Sequence, residues 1–134
     1  MYNSITLIGH IGKNPEIRTT ESGTTIVTFS VATSETWKNE KGEKIKHTEW
    51  HNVVFFGNSA EILKQYAHSG QLIMVEGQLR TSEYKDKDNK THKVTKVMGN
   101  IFRFLKNKET AKQLADNEQI PNNGSNEIDD DIPF

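Results

Sequence analysis

Residues 25–33 read TIVTFSVAT, which puts Val27, Phe29 and Val31 on one side of a two-residue period and Thr28 and Ser30 on the other. That alternation fits a strand with one buried and one wet face, and it lacks the three-to-four-residue spacing of an amphipathic helix. It sets the expectation for the body of the chain: a sheet protein of short, half-buried strands. Ile5, Leu7 and Ile11 mark an earlier strand interrupted by Gly9 and Gly12, where a bulge or a close backbone approach is expected. NPEIRTT and ESGT follow as a short strand and a turn. Further strands run through IKHTEWHNVVFFG, QLIMVEGQLRT and KVTKVMGNIFRFL, the second apolar enough to predict burial on both faces. KNEKGEK and KDKDNK are charged, contain Gly or Asp-Asn, and are expected at exposed hairpin tips.

One helix interrupts the strands. In GNSAEILKQYAHSG, Asn58 is placed to cap with Glu61 three residues on, Ile62, Leu63 and Tyr66 form an apolar stripe, and Gly70 supplies the stop. About five strands with a single helix between the third and fourth predict an all-β fold, a closed five-stranded Greek-key barrel of the oligonucleotide-binding type. Fold alone does not give function, because that barrel serves several chemistries.

Beyond Lys106 the alternation stops. Residues 107–128 are polar and become rich in Asn, Gly and Ser, so they are expected to form a flexible linker that cannot bury enough surface to offset its ordering entropy. The 134 residues thus divide into one domain over 1–106, a linker over 107–128 and a tip over 129–134. Charge divides the same way. Residues 1–108 hold 16 Lys and Arg against 11 Asp and Glu, while residues 109–134 hold 1 against 7, so a body of +5 and a tail of −6 make up the net −1. A basic body with an acidic tail points to a polyanion-binding domain and a segment reserved for another task.

Cysteine is absent, which removes disulfides, thiolate metal sites and a cysteine nucleophile from consideration and fits a reducing, cytoplasmic location. The start, MYNSITLIGHIG, lacks the basic and apolar pattern of an export leader, and no run of about 18 apolar residues suggests a membrane span.

Four aromatic residues sit in polar or basic settings: Trp37 beside Lys38, Trp50 in TEWHN, Phe56 at the end of its strand, and Tyr84 between Arg80 and Lys85. Aromatic rings among cations suit single-stranded nucleic acid, because every base offers a π-face whatever its identity while Lys and Arg follow the phosphates. Trp50 and Phe56 are an even number of residues apart and would share a face of an unbulged strand. On pattern alone, Phe56 fits a core position as well as a stacking one, and Trp50 fits a half-buried strand position equally well. Lysines cluster on the two hairpins that carry Trp37 and Tyr84, among them Lys38, Lys85 and Lys87. HTEWH alternates His47, Glu49 and His51, but it is not the helical zinc pattern and offers no fourth ligand, so neither a metal nor another cofactor is expected. No nucleophile motif, phosphate-cradling loop or carboxylate pair stands out, and the expectation is a binding protein rather than an enzyme.

Taken together, LIGHIGKNPEIR, VATSETW, TEWHNVVFFG, VEGQLRTSEY and the terminal DDDIPF resemble the bacterial single-stranded-DNA-binding proteins. The match covers residues 1–105 and the last six, in order. The resemblance implies a homotetramer that coats single-stranded DNA without sequence preference in replication, recombination and repair, cytoplasmic and nucleoid-associated. It assigns base stacking to Trp37, Trp50, Phe56 and Tyr84, with Arg80, Lys38, Lys85 and Lys87 beside them. It assigns subunit contact to the first strand, including Ile5 and Leu7, and to His51. It also implies that Asp129, Asp130, Asp131, Ile132, Pro133 and Phe134 form a docking peptide for replication, recombination and repair proteins, Phe134 entering an apolar pocket and the acids steering to basic surfaces. The chain departs from the family at Tyr84, where Trp is common, and in its short linker. Three other readings compete: a primosome-type relative that mainly recruits a helicase, an RNA-binding barrel, and a metal-dependent nuclease.

Overall fold

The computed structural model describes residues 1–106; the expected linker over 107–128 and the docking tip over 129–134 lie outside the described residues. Within them the order is β1 (Ile5–Ile11), β2 (Glu16–Thr19), β3 (Thr25–Lys38), β4 (Lys44–Phe56), α1 (Asn58–Tyr66), β5 (Leu72–Lys85) and β6 (Thr91–Phe104). Neighbours in the sheet run β1-β5-β6-β4-β3-β2, and a further β1–β3 pairing closes the ring. β2 pairs with β3 at residues 25–28 and β1 pairs with it at residues 31–32, so the two short strands line up along one edge of β3. They act as one barrel strand broken between Ile11 and Glu16, which reconciles six strands with a five-stranded barrel. α1 falls between the third and fourth barrel strands, as the sequence pattern predicts. No helix among the described residues is long and apolar enough to cross a membrane.

The core follows from the alternation. Val27, Phe29 and Val31 of β3, Val53 and Phe55 of β4, Ile73 and Val75 of β5 and Val97 of β6 point inward and are buried. Phe55 is the centre of an aromatic cluster, its ring parallel to Phe29 at 6.2 Å and edge-on to Phe102 at 5.5 Å. Fully burying side chains of this size stabilises the fold by roughly 1.5–3 kcal/mol each before entropy is counted. β5 differs from expectation: its inward residues are buried, but Leu72, Met74 and Glu76 on the other face are only half-buried. A barrel wall has one interior, and the outward face keeps contact with water. Gly9 makes the expected close approach, since a Cβ there would collide with the carbonyl oxygen of Ala32. The irregularity in the sheet, however, lies in the β5–β6 pairing, where Glu76 pairs with Ile101 and Gly77 with Gly99, so that the extra residue is Asn100 of β6.

Three of the connections are hairpin turns built alike. Thr20, Asn39 and Asp86 open them; in each the first backbone N–H bonds the carbonyl four residues on, and the residue at the fourth position returns an N–H to the first carbonyl. That fourth residue has positive φ and is Gly23, Gly42 or Asn89, the residue types that tolerate it. A side-chain oxygen of Thr20, Asn39 or Asp86 accepts further N–H bonds inside the turn. The two hairpin tips read from KNEKGEK and KDKDNK are therefore present, but the strands feeding them are much longer than the apolar pattern shows.

The helix departs from its sequence reading at both ends and on its face. Gly57, at φ 70°, is the N-cap and makes no side-chain cap; Asn58 is already helical. Glu61 bonds the hydroxyl of Thr25 on β3 instead of a cap partner, tying the helix to the barrel. The helix ends at Tyr66 with Ala67 extended, so Gly70 belongs to the following turn. Ala60 and Leu63 are the buried positions, while Ile62 and Tyr66 are exposed, because a nine-residue helix lying on the barrel buries only a narrow stripe.

Candidate nucleic-acid interface

The β3–β4 pairing runs without a shift from Ile26↔Phe56 to Lys38↔Lys44, so directly opposed residues share a face along its whole length. One face carries Ile26, Thr28, Ser30, Ala32 and Lys38 opposite Phe56, Val54, Asn52, Trp50 and Lys44, with Lys46 between the last two. The other face continues the barrel interior outward as Thr33, Glu35 and Trp37 opposite Glu49, His47 and Ile45. Trp50 and Phe56 therefore share a face, as their spacing predicts, and are 59% and 47% exposed. Trp37, 47% exposed, lies on the opposite face of the ribbon.

β6 extends the first face. Val54 pairs with Met98 in the parallel β4–β6 contact, and Met98, Lys96 and His92 stand opposite Gln78, Arg80 and Tyr84 of β5. Arg80 and Tyr84 thus join Trp50 and Phe56, while Glu83 and Lys85 fall on the far side, where Glu83 lies 3.9 Å from Lys93. Lys87 sits in the turn beyond. β2 adds Glu16 and Arg18 through their pairing with Thr28 and Ile26.

Two shallow depressions mark this face. Ile26, Thr28, Val54, Phe56 and Met98 line one, with Arg18, Lys96 and Glu16 supplying charge. Gly12, Lys13, Ser30 and Trp50 line the other. Arg18, Met98, Gly12 and Lys13 carry no local signal of a site role, because they reach Trp50 and Phe56 only through pairings between distant segments; Lys96 belongs to the lysine cluster that the sequence marks on the β5–β6 hairpin.

Sorting by face also separates charge. Along β2 to β6 the aromatic face gathers Arg18, Lys38, Lys44, Lys46, Arg80 and Lys96 against Glu16 and Glu76, whereas Glu35, Glu49 and Glu83 turn away together with Lys85 and Lys93. A surface with cations interleaved among exposed rings can hold phosphates and stack bases at once.

At the tip of the β5–β6 hairpin, Tyr84 lies against His92 with ring centroids 5.2 Å apart and planes 23° from parallel. His92 Nε2 is 2.7 Å from Asp86 Oδ2. That hydrogen bond first, and the backbone N–H groups of Lys90 and Asp88 after it, hold the Asp86 carboxyl below the usual carboxylate range.

The residues assigned to subunit contact divide. His51 is half-buried and shares a 2.9 Å hydrogen bond with Thr33 Oγ1. Leu7 points into its own barrel at 6% exposure and Ile5 packs against the same core. Any contact made by the outer face of β1 therefore falls to Thr6, Ile8 and His10, the residues that alternate with them. His47 Nε2 lies 3.1 Å from Glu49 Oε2, and His51 is turned to Thr33. The docking residues Asp129 to Phe134 lie outside the described residues.

Residues 2–105 match the model of the single-strand binding protein family. A protein of Xylella fastidiosa named single-stranded DNA-binding protein 1 is 40% identical over 114 residues, which is 84% of each chain. The single-stranded DNA-binding protein of Neisseria meningitidis is 37% identical over 103 residues, 77% of this chain but only 59% of that one. Among solved structures, that of Plasmodium falciparum SSB in complex with ssDNA superposes with a TM-score of 0.72 at 28% identity, over 79% of this chain and 96% of that one. A deletion mutant of the Thermus aquaticus single-stranded DNA binding protein superposes with a TM-score of 0.70 at 26% identity, over 80% of this chain and 52% of that one. The closed barrel and the extent of these matches lead to one conclusion: the chain belongs to the single-strand binding protein family.

Proposed function

We propose that this protein binds single-stranded DNA without regard to sequence and shields it during replication, recombination and repair. The observation that carries the reading is the sorting of Trp50, Phe56 and Tyr84 onto one face with six cations against two acids, Glu16 and Glu76. Rings that are half exposed yet fixed on strands offer stacking surface at low entropic cost, and stacking is indifferent to base identity. In a duplex the same bases are already stacked inside the helix and cannot reach the rings. The match to a structure solved with ssDNA supports the same ligand class.

In this reading residues 1–106 form the DNA-binding and assembly domain of a homotetramer, with Trp37 on the reverse of the β3–β4 ribbon available to a strand that passes around its edge. Residues 107–128 tether the tip at 129–134, which recruits genome-maintenance proteins through Ile132, Pro133 and Phe134. Competition for a labelled dT oligomer by unlabelled single-stranded DNA, duplex DNA and RNA tests the ligand. Effective competition by single strands of any base composition with inert duplex supports the proposal; equal or better competition by RNA would move the reading to an RNA-binding barrel. For the tip, removing residues 129–134 should leave DNA affinity unchanged or slightly raised and abolish binding of repair proteins. Undiminished binding would remove the docking role.

A further inference from the structure

Tyr84 stands on a two-stranded ribbon beyond the barrel core, 53% exposed. An aromatic side chain in that position would ordinarily sample several rotamers, and fixing it on ligand binding would cost affinity. Here it is not free. His92, directly opposite on β6, covers one face of the phenol ring at 5.2 Å between centroids. The imidazole is itself tied down, since Asp86 Oδ2 lies 2.7 Å from His92 Nε2. The other oxygen of the same carboxylate accepts the backbone N–H groups of Asp88 and Lys90, each at 2.9 Å. One carboxylate thus joins the hairpin turn to the imidazole, and the imidazole backs the tyrosine.

We infer that Asp86 and His92 are positioning residues that hold the Tyr84 ring ready to receive a base, an inference that rests on the reading of this face as a single-stranded-DNA surface. His92 occupies one π-face and leaves the other open, so the bound arrangement is a three-layer stack of base, Tyr84 and His92. The ring faces the same side of the sheet as Arg80 and Lys96, which can hold the flanking phosphates. His92 does not touch the DNA; it acts through Tyr84 by removing the cost of ordering the ring. Tyrosine offers less stacking area than tryptophan, and preorganisation offsets part of that difference.

The test is a double-mutant cycle on the full chain, with binding of a fluorescein-labelled dT oligomer measured for wild type, Tyr84→Ala, His92→Ala and the double variant. Thermal melts confirm that each is folded. His92→Ala should weaken binding by about two- to tenfold, the range for ordering one side chain on association. In the Tyr84→Ala background it should cost nothing further. His92→Phe, which keeps a ring under Tyr84, should restore most of the affinity even if His92→Ala disturbs the hairpin. Full affinity in His92→Ala would overturn the inference, as would an equal loss in both backgrounds, which would mean that His92 has a contact of its own. A Tyr84→Ala variant that binds like wild type would overturn it while leaving Trp50 and Phe56 in the site. Failure of wild type to bind the oligomer would instead defeat the underlying reading of the face, and the inference with it.

Discussion

The indole of Trp50 lies over Gly12: a Cβ added to that glycine would sit 2.5 Å from Trp50 Cζ3 and 2.7 Å from Ser30 Oγ. Gly12 follows β1 at the break between β1 and β2, and its N–H bonds the carbonyl of Ser30 at 3.0 Å. The ring that is most exposed among the stacking candidates therefore rests against backbone, and the glycine is what admits it. Gly12→Ala should displace the ring, alter its fluorescence and weaken single-stranded DNA binding by at most the roughly 1–3 kcal/mol of one lost stack. Melting temperature should change little, because a side chain on the surface can move aside. Altered emission with unchanged affinity would show that the ring's position does not matter.

Arg18 and Lys96 bring positive charge to the depression around Phe56. If each neutralises one phosphate, each alanine substitution should lower the slope of log affinity against log salt by about 0.7, the single-strand value. Titrations at several salt concentrations read this directly. A weaker affinity with an unchanged slope would place both side chains away from the phosphates.

Gly99 faces the ring of Phe55, and a Cβ there would overlap that ring. Phe55 is fully buried between Phe29 and Phe102 and has nowhere to retreat. Gly99→Ala should cost about 1–3 kcal/mol of stability by overpacking. Denaturant unfolding checks the value, and DNA affinity below the transition should stay near wild type, since the aromatic face is not touched.

Acid should loosen the β5–β6 hairpin tip. The folded-state pKa of Asp86 is depressed, foremost by the hydrogen bond with His92, so its contribution is present above the ordinary carboxylate pKa and is lost as pH falls through the lower folded value. Asp86→Asn keeps the turn acceptor but removes the charge. The difference between wild type and Asp86→Asn in hydrogen exchange at residues 86–92 should be full at pH 6 and shrink steadily below the usual aspartate range. A difference that persists at the acid end would assign the order to something other than the charged carboxylate.

Much of the fold was legible because alternation is local. Val27, Phe29 and Val31 read as an inward row, and the even spacing of Trp50 and Phe56 placed both on one face. The face of Trp37 was not legible: residues 33–36 are Thr, Ser, Glu and Thr, which carry no apolar rhythm, so the extension of β3 to Lys38 left no trace from which to count parity. Glu61 reads locally as a cap partner because its actual partner, Thr25, lies 36 residues away. Arg18 gives no local signal for the same reason, its place beside Phe56 being fixed by strand pairings and not by neighbours in sequence. Leu7 shows the limit of assigning a whole strand to a contact, since alternation sends that side chain into the core.

The placement of bases on the aromatic face is tested most directly with one tryptophan left to report. Trp37→Phe leaves Trp50 as the sole indole, and its emission can be followed during titration with poly-thymidine at low and high salt. Strong quenching that saturates at a fixed nucleotide count per protein, reverses with salt and is absent with duplex DNA is the expected result. Emission that stays unchanged while an independent assay shows the strand fully bound would contradict it, and would mean that the DNA lies elsewhere on the barrel.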